Sequence, residues 1–279
     1  MNTTQRASCV IGFPAKHSRS PKLHGHWIKR YGIDGDYRIE EISPADFPSF
    51  VKNLAKHGYV GANVTLPHKE TALALSEPDA RAKAVGAANT LWLDGTTLRS
   101  TNTDVEGFIG ALDACAPGWD KRGGTAVVLG AGGAGRAVVY GLLERGIAKI
   151  HVVNRTFERA VAFRERFGPA IQPARWADVP KLLAGATLLA NATSLGMKGQ
   201  PDLEIDLAPM AAHAVVSDIV YIPLKTRVLQ QGEAHGFKTS NGLDMLLYQA
   251  VRGFELWFGV RPEVTMELRD MLVADILKS

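Results

Sequence analysis

The sequence predicts an α/β protein built from two domains, and three observations carry that expectation. Over the first hundred residues, short apolar runs of strand length alternate with stretches of helical periodicity. At Thr125 the pattern restarts with a fresh apolar run, a glycine cluster and a helix. The chain's 279 residues, 46% hydrophobic and 22% charged, are enough to bury one or two substantial cores.

The elements follow in order. An apolar strand is expected over 8–13 and a helix over 21–31, with Ser20 suited to its N-cap and Pro21 to its first position. An extended stretch at 37–42, a helix over 47–56 and a strand over 59–66 come next. Strands separated by helices imply βαβ units and a mainly parallel sheet. Residues 90–93 and 97–100 then flank Asp94-Gly95, a dipeptide whose positive φ angles serve a tight hairpin. A short helix and the Pro117-Gly118 turn, within 104–120, connect the two halves. Beyond them Thr125–Leu129 reads as a buried strand, 136–144 as a helix, 148–153 as a strand and Phe157–Phe167 as a helix. Runs at 186–190 and 214–220 are further strands of the same sheet, and from Asn241 onward the pattern is helical.

Composition narrows the function classes. Residues 1–14 hold no apolar stretch of signal-peptide length, and no run is long enough to span a bilayer, so a cytoplasmic protein with no membrane partner is expected. Cys9 and Cys115 are too few for a disulfide framework and read as reduced thiols. The net charge of +4 comes from Lys and Arg interspersed with Asp and Glu rather than gathered in a stripe, which argues against a nucleic-acid partner. His24-Gly-His26 lacks a third ligand at suitable spacing, so no metal is expected.

The glycine cluster carries the clearest chemistry. Gly130-Ala131-Gly132-Gly133-Ala134-Gly135 satisfies G-x-G-x-x-G directly between a strand and a helix. The first glycine permits the tight turn, the second lets the backbone approach a pyrophosphate, and the third allows close helix-to-strand packing. At the end of the next strand a NAD site usually carries an acidic residue for the ribose hydroxyls. Here stand Asn154-Arg155-Thr156-Phe157-Glu158-Arg159. Arg155 and Arg159, four apart at a helix start, are placed to face one phosphate, which favours NADP over NAD; Glu158 is the one dissenting charge.

The first half holds three polar segments richer than packing needs. Ser18-Arg19-Ser20-Pro21 puts two hydroxyls beside a helix amino terminus, where a carboxylate is well received. Asn63-Val64-Thr65-Leu66-Pro67-His68-Lys69 places a lysine in a first helical turn, against the helix dipole. Asn89-Thr90 and Asn102-Thr103-Asp104 form the third.

Together these segments resemble the shikimate dehydrogenase family. SRSP, NVTLPHK, GAANT, NTD, GAGGAGR, NRTFER, NATSLGM, DIVYIP and NGLDMLLYQA match its motifs in its order, over essentially the whole chain. The resemblance implies an amino-terminal α/β substrate domain over 1–104 completed by the carboxy-terminal helices at 242–279. It also implies a Rossmann-type NADP-binding domain over 105–241 and an active site in the cleft between the two. The implied reaction is the reversible, NADPH-dependent reduction of 3-dehydroshikimate to shikimate in aromatic amino acid biosynthesis. Ser18 and Ser20, with Tyr221, match the positions that bind the substrate carboxylate; Thr65, Asn89 and Gln249 match those that hold ring hydroxyls. Lys69 and Asp104 match the catalytic dyad, with proton transfer and electrostatic stabilisation both open to Lys69. On the NADP(H) side the glycine turn and 154–159 match the phosphate contacts, Ala192 and Thr193 a segment beneath the cofactor, and Ile219 and Gly242 backbone positions near the nicotinamide. Val105 and Asp244 depart from glycines common in the family. Two alternatives stay open: a quinate/shikimate dehydrogenase with relaxed cofactor use, against which Ser20 and the arginine pair speak, and a non-catalytic NADPH-binding regulator, against which Lys69 and Asp104 speak. A monomer and a homodimer are equally compatible with the motifs.

Overall fold

The computed structural model describes residues 6–121 and 123–278, so the reading of residues 1–14 lies partly outside them. Along the chain run β1 (Arg6–Gly12), α1 (Ser20–Arg30), β2 (Gly35–Glu41), α2 (Phe47–Lys52), β3 (Tyr59–Val64), α3 (Lys69–Ala74), β4 (Glu77–Pro78), α4 (Ala80–Val85), β5 (Thr90–Asp94) and β6 (Thr97–Thr101). There follow α5 (Asp104–Cys115), β7 (Thr125–Leu129), α6 (Gly133–Glu144), β8 (Lys149–Val153), α7 (Phe157–Phe167), β9 (Ile171–Ala174) and α8 (Val179–Leu182). The chain closes with β10 (Leu188–Asn191), β11 (Val215–Asp218), α9 (Arg227–Ala234), β12 (Lys238–Ser240), α10 (Gly242–Phe258) and α11 (Met266–Leu277). These elements form two compact units. One takes the described residues of Met1–Thr103 and Gln249–Ser279, and the other takes Asp104–Tyr248, so α10 contributes residues to both.

The first unit is a mixed sheet in the order β2-β1-β3-β5-β6-β4. β1 pairs in parallel with β2 and β3, as βαβ connections require, while β5 is antiparallel to both β3 and β6. One face buries Cys9, Ile11, Phe47, Val51, Leu54, Val64 and Leu91. Elsewhere in this unit Trp27, Phe254 and Trp257 surround the fully buried His24, whose ring stacks on Tyr37 at 4.2 Å. Trp257 donates its indole N–H to the carbonyl of Leu91 at 2.8 Å, and this needs a glycine at Gly61, where a Cβ would collide with the indole.

Three local expectations are corrected. Asp94 pairs with Thr97 as part of the hairpin strands, so the turn residues are Gly95 and Thr96, and Gly95 alone takes the positive φ, +62°. The helix expected over 47–56 ends at Lys52, and the chain then winds through turns to Gly58, whose φ of +83° no helix accommodates. Ser20 is not the N-cap of α1 but its first residue; Arg19 holds the N-cap position without a side-chain cap bond, and the Ser18 hydroxyl before it accepts the Ser20 N–H at 3.3 Å.

The second unit is a six-stranded, wholly parallel sheet in the order β12-β11-β10-β7-β8-β9. Numbered from its own first strand this is 3-2-1-4-5-6, the doubly wound dinucleotide-binding topology. Its strands are buried on both faces, and alternation assigns residues to two cores: Ala126, Val128, Ile150, Val152, Leu188 and Ala190 on one side, Val127, Leu129, Val153, Leu189 and Val216 on the other. The strand order reverses between β7 and β10, so a crevice for a ligand is expected at their carboxyl ends.

Candidate active site

The carboxyl end of β7 leads straight into the glycine turn. Gly130 has φ +104° and donates to the Val153 carbonyl at 2.7 Å; a Cβ there would lie 2.7 Å from the Ala192 carbonyl oxygen. Gly132 caps α6 and has open space where its side chain would be, while a Cβ on Gly135 would collide with the Gly130 carbonyl. The three glycines thus divide the work as the motif requires: turn, approach, packing. Ala131 donates to the Asn154 side-chain oxygen at 3.1 Å, and Asn154 donates to the Thr156 carbonyl at 2.9 Å, so one amide ties the turn to the end of β8. Gly133 and Ala134 open α6, whose free N–H groups and dipole suit an anion.

Past Asn154 the chain enters α7 with Thr156 as N-cap, Phe157 and Glu158 in the first turn and Arg159 close behind. Arg155 and Arg159 are exposed, and neither makes an ion pair among the described residues.

On the other side of the switch point, β10 and β11 end in a knot built on the buried carboxylate of Asp218. Its Oδ1 accepts the Asn191 amide at 2.9 Å and the Val220 N–H at 3.0 Å, and its Oδ2 accepts the Thr226 hydroxyl at 2.6 Å. Burial pushes its pKa above the ordinary aspartate value, with the three hydrogen bonds opposing the shift. The Asn191 side-chain oxygen accepts both the N–H and the hydroxyl of Thr193, which fixes the segment carrying Ala192 and Thr193. Ile219 donates to the Asn191 carbonyl at 3.1 Å and Gly242 to the Val220 carbonyl at 3.1 Å; a Cβ on Gly242 would strike the Ile219 carbonyl. The fold therefore gathers the glycine turn, Ala192, Thr193, Ile219 and Gly242 around the carboxyl ends of one sheet. Tyr221 follows Val220 in this unit and is half-buried.

The first unit collects most of the remaining candidates. Ser18 is half-buried and Ser20 buried, at the start of α1. Arg19 between them is buried and pairs with Asp275 of α11, Nε to Oδ2 at 3.3 Å. Thr65 donates its N–H to the Ile11 carbonyl at 2.9 Å and accepts from the His68 N–H at 3.0 Å, so the segment after β3 turns back into α3. His68 stacks on Phe47 at 4.2 Å and donates through Nε2 to the Ile42 carbonyl, its pKa lowered by burial. Lys69, half-buried, is the first residue of α3, and its carbonyl accepts the Ala88 N–H at 2.9 Å. The adjacent Asn89 is buried, and its Oδ1 accepts the Thr103 N–H at 2.7 Å together with the Thr90 hydroxyl. The single proton of the Thr103 hydroxyl serves either Asn89 Oδ1 at 3.2 Å or Gln249 Oε1 at 3.3 Å, so that hydroxyl bridges the two amide oxygens. Lys69, Asn89 and Gln249 are thereby linked through a few bonds, and Thr103 is the residue before Asp104, which opens α5 in the second unit.

Several polar partners in this network were not singled out from sequence. Tyr37 donates to Asn63 Oδ1 at 2.6 Å, and Asn63 donates to the Thr90 hydroxyl at 3.2 Å. Asn63, Thr90 and Thr103 lay inside the polar segments, where a count of buried partners would have found them. Tyr37 carried no signal, being one aromatic in an extended run.

The class defined by this fold and by the glycine turn is a dinucleotide-dependent α/β enzyme. The family follows from comparison with known proteins. Three family descriptions match in chain order: "Shikimate dehydrogenase substrate binding domain" over residues 10–91, "Shikimate / quinate 5-dehydrogenase" over 118–197 and "Shikimate 5'-dehydrogenase C-terminal domain" over 242–265. The chain is 62% identical over 276 residues, 99% of both chains, to a protein of Rhodopseudomonas palustris named "Shikimate dehydrogenase (NADP(+))". It is 60% identical over 275 residues, 99% of this chain and 98% of the other, to one of the same name from Nitrobacter winogradskyi. Among solved structures it is similar to shikimate 5-dehydrogenase of Thermus thermophilus in complex with NADP(H) and shikimate, with a TM-score of 0.84, 34% identity and coverage of 97% and 99% of the two chains. It is also similar to quinate dehydrogenase of Corynebacterium glutamicum in complex with NAD, with a TM-score of 0.88, 29% identity and the same coverage. The chain belongs to the shikimate dehydrogenase family.

Proposed function

We infer that this protein is an NADP-dependent oxidoreductase that interconverts 3-dehydroshikimate and shikimate. The observation that carries the reading is the paired arginines, Arg155 and Arg159, without carboxylate partners among the described residues, where an NAD site would carry an acid. The end-to-end identity with named NADP(+) enzymes supports it. Quinate with NAD is the second reading, favoured by the Corynebacterium likeness and opposed by the same arginines.

When bound, NADPH would supply the hydride for the ring ketone. A proton must reach the nascent alkoxide as the hydride arrives. Lys69 is assigned that proton transfer, and Asp104 the orientation of the substrate hydroxyl. The hydroxyls of Ser18, Ser20 and Tyr221 bind the carboxylate, and Thr65, Asn89 and Gln249 hold the ring hydroxyls. The cofactor is assigned to Gly130–Gly135, Asn154–Arg159, Ala192, Thr193, Ile219 and Gly242. No described helix is long and apolar enough to cross a membrane, and a cytoplasmic setting is part of this proposal.

The test follows nicotinamide absorbance with shikimate or quinate and NADP+ or NAD+, on the wild type, Lys69→Ala and Asp104→Ala. Shikimate with NADP+ is expected to give the highest kcat/KM. Each variant is expected to lose about 10²- to 10⁴-fold in kcat while still binding NADPH. Comparable turnover with quinate and NAD+ would move the protein to the second reading, and full activity of Lys69→Ala would remove that residue from the chemistry.

A further inference from the structure

The end of the dinucleotide sheet carries a third arginine that no motif names. β8 and β9 run side by side in parallel, with Val153 opposite Ala174 at their carboxyl ends. The residues that follow are Asn154-Arg155 on one strand and Arg175 on its neighbour. Adjacent strands lie about 4.8 Å apart, so both arginines leave the sheet at the same end and on neighbouring strands. That end is where ligands bind in doubly wound sheets.

Arg175 is held there. Its guanidinium lies 4.3 Å from the centre of the Phe157 ring, well inside cation–π range, and Phe157 is the first residue of α7, between Arg155 and Arg159 in sequence. The stack fixes a long side chain that would otherwise lose its freedom on meeting a ligand. It leaves the guanidinium N–H groups without a carboxylate: Arg175, like Arg155 and Arg159, makes no ion pair among the described residues. Three arginines therefore stand at or beside the start of α7, Arg155 and Arg159 by their place in the chain and Arg175 by its stack on Phe157.

We propose that Arg175, positioned by Phe157, is a further specificity-determining residue that recognises the 2′-phosphate of the dinucleotide. The proposal rests on the NADP reading above. Phe157 thereby serves as the shelf that sets the third cation.

The test is calorimetric titration of 2′-phospho-ADP-ribose and of ADP-ribose into the full chain, with Arg175→Ala, Arg175→Lys and Phe157→Leu compared with the wild type. Steady-state kinetics are run beside it. Arg175→Ala is expected to weaken the phosphorylated ligand about three- to tenfold, to leave ADP-ribose unchanged, and to raise KM for NADP+ without lowering kcat. Arg175→Lys, which keeps a charge over the ring, recovers part of the loss, and Phe157→Leu produces a smaller loss of the same kind. Equal weakening of both ligands by Arg175→Ala, or weakening of neither, overturns the proposal while a wild-type preference for the phosphorylated ligand keeps the NADP reading intact. A wild type without that preference overturns both.

Discussion

Replacing Asp218 by alanine tests whether its carboxylate holds together the ends of β10 and β11, the side of the crevice to which the nicotinamide is assigned above. The carboxylate is 1% exposed and accepts three hydrogen bonds. After Asp218→Ala the Asn191 amide keeps the Leu195 carbonyl, 3.1 Å away, so it is not orphaned. The Val220 N–H and the buried Thr226 hydroxyl each lose this acceptor. An unsatisfied buried donor costs about 1–3 kcal/mol, and relief from desolvating a carboxylate offsets part of the sum. The expected loss is about 3 kcal/mol, or roughly 6–12 °C in melting midpoint at about 2–4 °C per kcal/mol for a domain of this size. Because Val220 lies between Ile219 and Tyr221, KM for NADP+ should rise with it. The pH dependence has a definite sign. A carboxylate whose folded pKa is raised contributes stability that is present below the ordinary aspartate value near 4 and lost as pH rises through the raised value. Removing it should flatten that part of the stability profile. The assay is thermal and urea denaturation across pH, with NADP+ kinetics alongside. An Asp218→Ala protein that melts with the wild type and keeps its KM would refute the reasoning.

Three other outcomes are expected. Gly130→Ala forces a side chain into φ +104° and to 2.7 Å from the Ala192 carbonyl, so NADPH affinity should fall sharply with a loss of at least about 2 kcal/mol in stability, checked by fluorescence titration and melting. Gly61→Ala drives a methyl group into the Trp257 indole and should destabilise by about 1–3 kcal/mol or more; unchanged melting and unchanged tryptophan emission would contradict the packing described. At the start of α1, the Lys22 ammonium hydrogen-bonded to Asp275, with Arg19 adding to it, holds that carboxyl below the usual range. Its contribution is present above the ordinary aspartate value near 4 and lost as pH falls through the lowered one, so Asp275→Asn should flatten the acid side of the stability profile and raise KM for shikimate.

The second unit was largely readable from sequence because its signals are local. A β7 apolar run, three glycines and a helix start occupy one continuous stretch, and each glycine's role follows from its spacing. The order in which β10 and β11 join the sheet is not local, and only the switch-point rule anticipates it. In the first unit the reading was poorer where tertiary contacts decide. Ser20 has the composition of an N-cap, yet the helix starts one residue earlier than that reading, with Arg19 at the N-cap and the Ser18 hydroxyl taking the Ser20 N–H. Asp94-Gly95 has the composition of a turn pair, yet cross-strand pairing extends to Asp94 and moves the turn on by one residue. Tyr37 enters the polar network only because β2 lies beside β1, which brings it within reach of Asn63, 26 residues further along the chain. Helix α10 was visible as a long apolar pattern, but nothing in its periodicity shows that Gln249 meets Thr103 while Gly242 meets the Ile219 carbonyl.

The hydrogen bonds to Asn89 give that side chain a polarity. The Thr103 N–H and the Thr90 hydroxyl both donate to its oxygen, which settles which end of the amide is which. Its other end is an NH₂ group, which only donates, and it can therefore read a lone pair but never a proton. Asn89→Asp would keep the shape and the bond to the Thr103 N–H while turning the outward end from a giver of hydrogen bonds into a taker. On the proposal that Asn89 holds a ring hydroxyl, that hydroxyl would offer its oxygen to the amide and keep its hydrogen for another acceptor, so the amide would set the direction in which hydrogen bonds run around the ring.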